Sequence, residues 1–318
     1  MTTKLTRPIT AEEIETYERD GVVALRGVCS LDWVDSLRVS LDEVFARDGS
    51  GTESALADGT STRGSRGDVA ERARAMMERG DVPGIAVEGG QVPTGRSIVE
   101  TDACSWHEGL RQNHIDGPLP ELVAQLTRSE RVNLYSDQLF LKEPGSSVRT
   151  PWHQDKPYWL LQGDKVAVCW VPVDEVTVES GAMGYVAGSH KWNKLYKPSD
   201  FVTMTGTSMV PGLEYGGLED LPPIDANPDD YEIRRYEAEP GDVIVHHWMT
   251  LHGSTGNISA HRLRRAASVR FAGEDVTFFR RPSAPEPFRK TVGLADGDDL
   301  DEADRFPRVW PPAMTETA

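Results

Sequence analysis

Apolar and polar positions follow two rhythms along this chain. In the first third the apolar residues recur at helical spacing, and from Val132 onward they gather in short dense runs. Thr10-Ala-Glu-Glu13 has the form of a capping box and predicts a helix to about Arg19, broken by Asp20-Gly21. Val22-Val-Ala-Leu25 reads as a strand, and Ser30 caps a second helix carrying Trp33, Leu37, Leu41 and Val44. Residues 48 to 68 are Gly-, Ser-, Thr- and Asp-rich without periodicity and predict a mobile surface loop. Helical composition returns from Val69 to Gly80 and from Pro120 to Thr127.

After Val132 the grammar is that of strands. Runs at 132–141, 165–173, 182–187, 242–246 and 265–271 are separated by turn signals such as Glu143-Pro-Gly145 and Glu239-Pro-Gly241. Many short strands with Gly/Pro turns predict an antiparallel barrel or jelly roll with the early helices packed outside it. Residues 193 to 235 read as a long insertion between barrel strands. The run Asp296 to Asp304 reads as a solvated acidic tail, since it lacks calcium-loop spacing. The expectation is one domain over 1–318: a helical part at 1–130, a core at 131–275 and a tail at 276–318.

Composition narrows the partners. The 34 Lys and Arg against 51 Asp and Glu give a formal charge of −17, which argues against nucleic acid and anionic membranes. Cys29, Cys104 and Cys169 form no CxxC pair and predict free thiols in a reducing compartment. The first residues lack a signal peptide and no window is a transmembrane span, so a soluble cytoplasmic protein is expected.

The chemistry concentrates in two places. Thr150-Pro-Trp-His-Gln-Asp-Lys-Pro-Tyr158 holds His153 and Asp155, and strand alternation would turn both to one face. Thr250-Leu-His-Gly-Ser254 supplies His252, 99 residues after His153. Two neutral imidazoles and a carboxylate on one side of a metal, with the other side open, suit Fe(II) in non-haem oxygenases. His246 and His247 are rivals for the distal position but lack the Gly-Ser continuation, and read as core or supporting histidines. His190 reads as a turn cap.

These motifs, with Lys142-Glu-Pro-Gly145, Ser180-Gly-Ala-Met-Gly184, Gly188-Ser-His190 and Arg264-Arg-Ala-Ala-Ser268, stand in an order that resembles the phytanoyl-CoA dioxygenase family. The resemblance spans most of residues 8 to 275. It implies a double-stranded β-helix, a mainly β cupin-like jelly roll with flanking helices. It also implies Fe(II), 2-oxoglutarate and O2 as cofactor and cosubstrates, with His153, Asp155 and His252 as iron ligands. A dianionic keto acid needs a fixed cation at its far carboxylate, for which Arg offers a bidentate fork. By the resemblance that cation is Arg264, one residue beyond the usual spacing, with Ser254 beside it. Arg262 stays open as an alternative. Gln138 and Trp170 match further family positions around 2-oxoglutarate, and Trp170 reads equally as barrel packing.

The implied reaction is hydroxylation of an unactivated C–H bond of a small molecule, with release of succinate and CO2. Desaturation and ring formation are alternatives on the same scaffold. Asp155 argues against halogenation, which needs a small residue there. Trp152, Tyr158 and Trp159 read as pocket or packing residues, and no Lys/Arg cluster points to an acyl-CoA. Two other classes stay in view: a metal-dependent jelly-roll isomerase or hydrolase, and a non-catalytic binding barrel. Oligomeric state is not legible.

Overall fold

The computed structural model describes residues 4–47, 66–80, 87–198, 217–281, 284 and 293–312. Its helices are α1 (Ala11–Asp20), α2 (Leu31–Ala46), α3 (Val69–Glu78), α4 (Glu108–Asp116) and α5 (Leu119–Thr127). Strands β1 (Val22–Leu25), β2 (Arg66–Asp68) and β3 (Ser97–Thr101) lie among them. There follow β4 (Val132–Lys142), β5 (Thr150–His153), β6 (Leu161–Gln162), β7 (Val166–Pro172), β8 (Met183–Val186) and β9 (Ile233–Arg235). The remaining strands are β10 (Val243–His247), β11 (His252–Ser254), β12 (Arg264–Gly273), β13 (Thr277–Phe278) and β14 (Arg308–Trp310).

Two sheets make the jelly roll. The larger runs β1-β10-β7-β12-β4-β3-β2 with β14 added on β4, and the smaller runs β5-β11-β8-β9. Every ladder in both is antiparallel. Alternation along the large sheet gives its two faces different work. Leu139, Cys169, Val245, Ala267, Val269 and Phe271 share one buried cluster with Trp33, Leu37 and Leu41 of α2 and Leu122 of α5. Each such large apolar side chain contributes about 1.5–3 kcal/mol by leaving water. The alternate residues (Gln138, Lys142, Trp170, His246, Arg264, Arg270) turn the other way.

Local chemistry explains the first elements. Thr10 and Glu13 cap α1 reciprocally, and Gly21 stops it in the left-handed region at φ 72°. A Cβ at Gly21 would lie 2.3 Å from the His190 ring and 2.5 Å from Thr250 Oγ1, so no other residue fits there.

Three expectations change. The tail is not merely solvated: Leu300 and Phe306 are buried, Asp299 pairs with Arg131, and β14 adds to the large sheet. Within 193–235, β9 completes the small sheet; positions 199–216 lie outside the described residues. Most of the expected mobile loop, 48–65, lies outside them too, while 66–68 form β2 rather than loop.

Candidate metal centre

β5 and β11 are ladder neighbours, and their register sets His252 opposite His153. The two ring centroids are 4.1 Å apart. Asp155 arrives differently from the sequence expectation. β5 ends at His153, and Asp155 adopts helical backbone angles (φ −77°, ψ −37°) at the head of a short turn. Trp248 O holds that turn by accepting from the backbone N–H groups of Asp155 and Lys156, at 2.9 and 3.2 Å. A turn, not strand alternation, brings the carboxylate to the imidazoles. One ligand atom from each of His153, Asp155 and His252 lies within 4.8 Å of the others.

Both imidazoles are oriented by their own chain. Nδ1 of His153 lies 2.8 Å from Pro151 O, and Nδ1 of His252 lies 2.9 Å from Thr250 O. A carbonyl can only accept, so each Nδ1 carries a proton, which leaves each Nε2 as the ring nitrogen free to ligate a metal at the centre. Burial, with His252 alongside, pushes His153 down to about 3, so it is neutral at ordinary pH. Burial opposes charge on Asp155, yet His252 and the hydrogen bond from His246 hold its carboxyl below the usual range. Two lone pairs and a buried carboxylate facing one another are matched by a cation. Nitrogen and oxygen donors in this 2:1 ratio fit Fe(II).

The rival histidines take other places. His246 Nε2 sits 3.3 Å from Asp155 Oδ2, behind the carboxylate, and its ring is 4.4 Å from that of His252. His247 faces away and contacts Asp164 O at 2.8 Å. His190 lies in the 3-10 turn Ser189–Trp192, its Nε2 3.3 Å from Glu18 O.

Next to the triplet lie two buried basic side chains, Lys142 and Arg264. Ser254, two residues beyond His252, accepts from Lys142 Nζ at 3.0 Å. Lys142 is paired in register with Arg264, and the Arg264 guanidinium lies over Trp170, 4.9 Å from the ring centroid. Arg264 is 1% exposed, its Nε has no hydrogen-bond partner among the described residues, and burial lowers it to about 10. Arg262 precedes the strand, points outward and pairs with Glu175. Of the two, only Arg264 therefore stands on the inner face of β12.

Lys142 was not anticipated as a site residue. Its Nζ also donates to Val148 O and Thr255 O, and burial together with Arg264 pushes its pKa well down. The available signal was parity, since Gln138 and Lys142 are four apart on one strand face. Gln138 lies in one cross-strand row with Ser268 and Trp170. Trp152 packs away from the centre with Val186 and Leu251, and its indole N–H donates to Asp225 at 2.9 Å. Tyr158 meets the His153 ring edge-on at 5.9 Å.

A family model for phytanoyl-CoA dioxygenase (PhyH) matches residues 17–266. The chain belongs to this family. Iron and 2-oxoglutarate are accordingly its cofactor and cosubstrate, with O2 expected for the PhyH family. A probable phytanoyl-CoA dioxygenase of Caenorhabditis elegans is 28% identical over 162 residues, 49% of this chain. A probable alpha-ketoglutarate-dependent hypophosphite dioxygenase of Stutzerimonas stutzeri is 28% identical over 159 residues, also 49% of this chain. The chain spans about half the length of these curated relatives, 48% and 51%. Among solved structures, the non-heme alpha ketoglutarate dependent epimerase SnoN from nogalamycin biosynthesis superposes with a TM-score of 0.63. It is 19% identical, covering 94% of this chain and 97% of SnoN. The carbocyclase SnoK from the same biosynthesis gives 0.62 at 19% identity, covering 96% and 98%. Those likenesses establish the double-stranded β-helix. No helix among the described residues is long and apolar enough to cross a membrane.

Proposed function

We propose that this PhyH-family chain hydroxylates an unactivated C–H bond of a small molecule. In this reading His153, Asp155 and His252 hold the iron, while Arg264 receives the far carboxylate of 2-oxoglutarate with Ser254 and Trp170 beside it. The carrying observation is the pairing of a cluster of three ligand atoms with a buried arginine that has no acid partner among the described residues. A guanidinium fork left without a carboxylate matches a dicarboxylic cosubstrate.

When bound, iron and 2-oxoglutarate supply an oxidant able to take hydrogen from C–H, with succinate and CO2 as by-products. The protein's own part is positional. Pro151 O and Thr250 O fix the imidazole tautomers, and His246 steadies the Asp155 carboxylate. Lys142 carries Ser254 toward the pocket, and Trp170 supports the flat face of Arg264. Buried walls exclude water from the reacting carbon. Asp155 fills the place that halogenation would need open. SnoN and SnoK, an epimerase and a carbocyclase, make product analysis part of the test. A non-redox jelly-roll enzyme or a plain binding barrel would have no use for a buried Arg264 without an acid partner among the described residues.

The test is anaerobic addition of Fe(II) and 2-oxoglutarate to the full chain, followed by O2 and candidate substrates. The expected result is a weak visible charge-transfer band, then succinate with a hydroxylated product. No band overturns the cosubstrate reading, and a desaturated, cyclised or epimerised product overturns hydroxylation.

A further inference from the structure

β12 carries a second buried arginine on its inner face. Arg270 is 7% exposed. Its Nη2 donates to Gln138 Oε1 at 2.6 Å, Nη1 lies 3.4 Å from Ser136 Oγ, and Nε has no hydrogen-bond partner among the described residues. The guanidinium rests on Trp159, 4.8 Å from the ring centroid. Among the described residues it forms no ion pair, in a chain with 51 acidic residues. Arg265, the outward neighbour of Arg264 on the same strand, pairs with both Asp174 and Asp42. Acids were available to this strand, and the inner arginines lack them.

Register places Arg270 relative to the metal centre. Across the large sheet His246 opposes Val168, and Val168 opposes Arg270. Two strand spacings put the Arg270 backbone about 10 Å from that of His246, which touches Asp155. A second path agrees: Tyr158 meets the His153 ring and the next residue, Trp159, lies under Arg270. Arg264, six residues earlier, is about 20 Å away along the strand, too far for both arginines to grip one 2-oxoglutarate carboxylate.

We infer that Arg270 is the substrate anchor of this site and that the substrate is an organic carboxylate. Gln138 and Trp159 orient the guanidinium, and its unmatched N–H groups form a fork for a planar carboxylate. The span from Arg270 to the triplet then sets which carbon faces the iron. This rests on reading the triplet with Arg264 as the iron and 2-oxoglutarate site.

The test uses three acid–amide pairs: acetate with acetamide, phenylacetate with phenylacetamide, and 4-phenylbutyrate with its amide. Each is titrated into the metal-free full chain and followed by tryptophan fluorescence, with Trp159→Phe to assign the signal. 2-Oxoglutarate affinity is measured separately, anaerobically, by the visible band. At least one acid should bind at least about 10-fold better than its amide, the scale of one charge-assisted pair. Arg270→Gln should abolish that preference and Arg270→Lys restore part of it, while 2-oxoglutarate affinity falls far less than in Arg264→Ala, as for separate sites. If Arg270→Gln fails to fold, the lysine variant and the wild-type preference decide. Three outcomes overturn the proposal: no acid preferred over its amide, a preference that survives Arg270→Gln, or a 2-oxoglutarate loss matching that of Arg264→Ala. A phosphate monoester, phenyl phosphate, bound more tightly than phenylacetate would overturn the carboxylate class. Absence of the visible band in wild type would instead remove the cosubstrate reading and leave the fluorescence result standing.

Discussion

The two faces of the large sheet are built from the same strands and share almost no chemistry. On β12 the outward residues Ala267, Val269 and Phe271 pack against the helices. The inward residues include Arg264, Ser268 and Arg270. Arg265 and Arg264 are adjacent, yet the hydrogen bond and charge of Asp174, then Asp42, raise the first, while burial lowers the second to about 10. The outer guanidinium is satisfied by the fold itself. The inner one has no acid partner among the described residues, as the proposed cosubstrate role requires. Unmet polar capacity on an otherwise finished sheet therefore marks the functional face.

Four substitutions test whether stability and chemistry are separable in this way. Asp155→Ala should reduce substrate-dependent succinate formation by more than about 100-fold, beyond the loss expected for a supporting residue around a metal. Its melting temperature should stay near that of the wild type, and full turnover in the variant would end the metal assignment. Arg264→Ala should weaken 2-oxoglutarate binding by roughly 30-fold or more, as expected when one partner of a buried charge pair is truncated. The affinity read from the visible band decides it. Phe271→Ala, on the outer face, should cost about 3–5 kcal/mol of unfolding free energy in urea while leaving 2-oxoglutarate affinity intact. A lost cosubstrate affinity there would show that the faces are coupled. Arg262→Ala breaks a half-exposed pair with Glu175 and should change stability by less than about 1 kcal/mol and cosubstrate affinity not at all. A cosubstrate defect in that variant would restore Arg262 as the anchor.

Much of this was legible in advance where the signal is local. The capping box at Thr10, the stop at Gly21 and the apolar strands from Val132 need only neighbouring residues to declare themselves. His153, Asp155 and His252 were legible as residue types in a motif. How Asp155 reaches its place was not, because the turn depends on Trp248, 93 residues further on. Lys142 reads as the start of a turn after a strand, and Arg270 stands in a run that reads simply as strand. Their importance comes from what lies across the sheet, and pairing partners are not written beside them. The tail shows the same limit, since its acidic run contributes buried Leu300 and ion pairs to Arg131 only after β14 finds β4.

Gly21 and β1 have a consequence in time. β1 lies at a sheet edge with β10 as its neighbour, Val22 opposite His246, which is made 224 residues later. Gly21 O likewise waits for the hydroxyl of Thr250. At about 5–20 residues per second of synthesis, the apolar strand Val22–Leu25 has no partner for about 10–45 s. Until then it is an open strand edge, the kind of surface that invites pairing with another chain. The frame around His252 thus joins two segments whose synthesis is separated by most of the intervening chain.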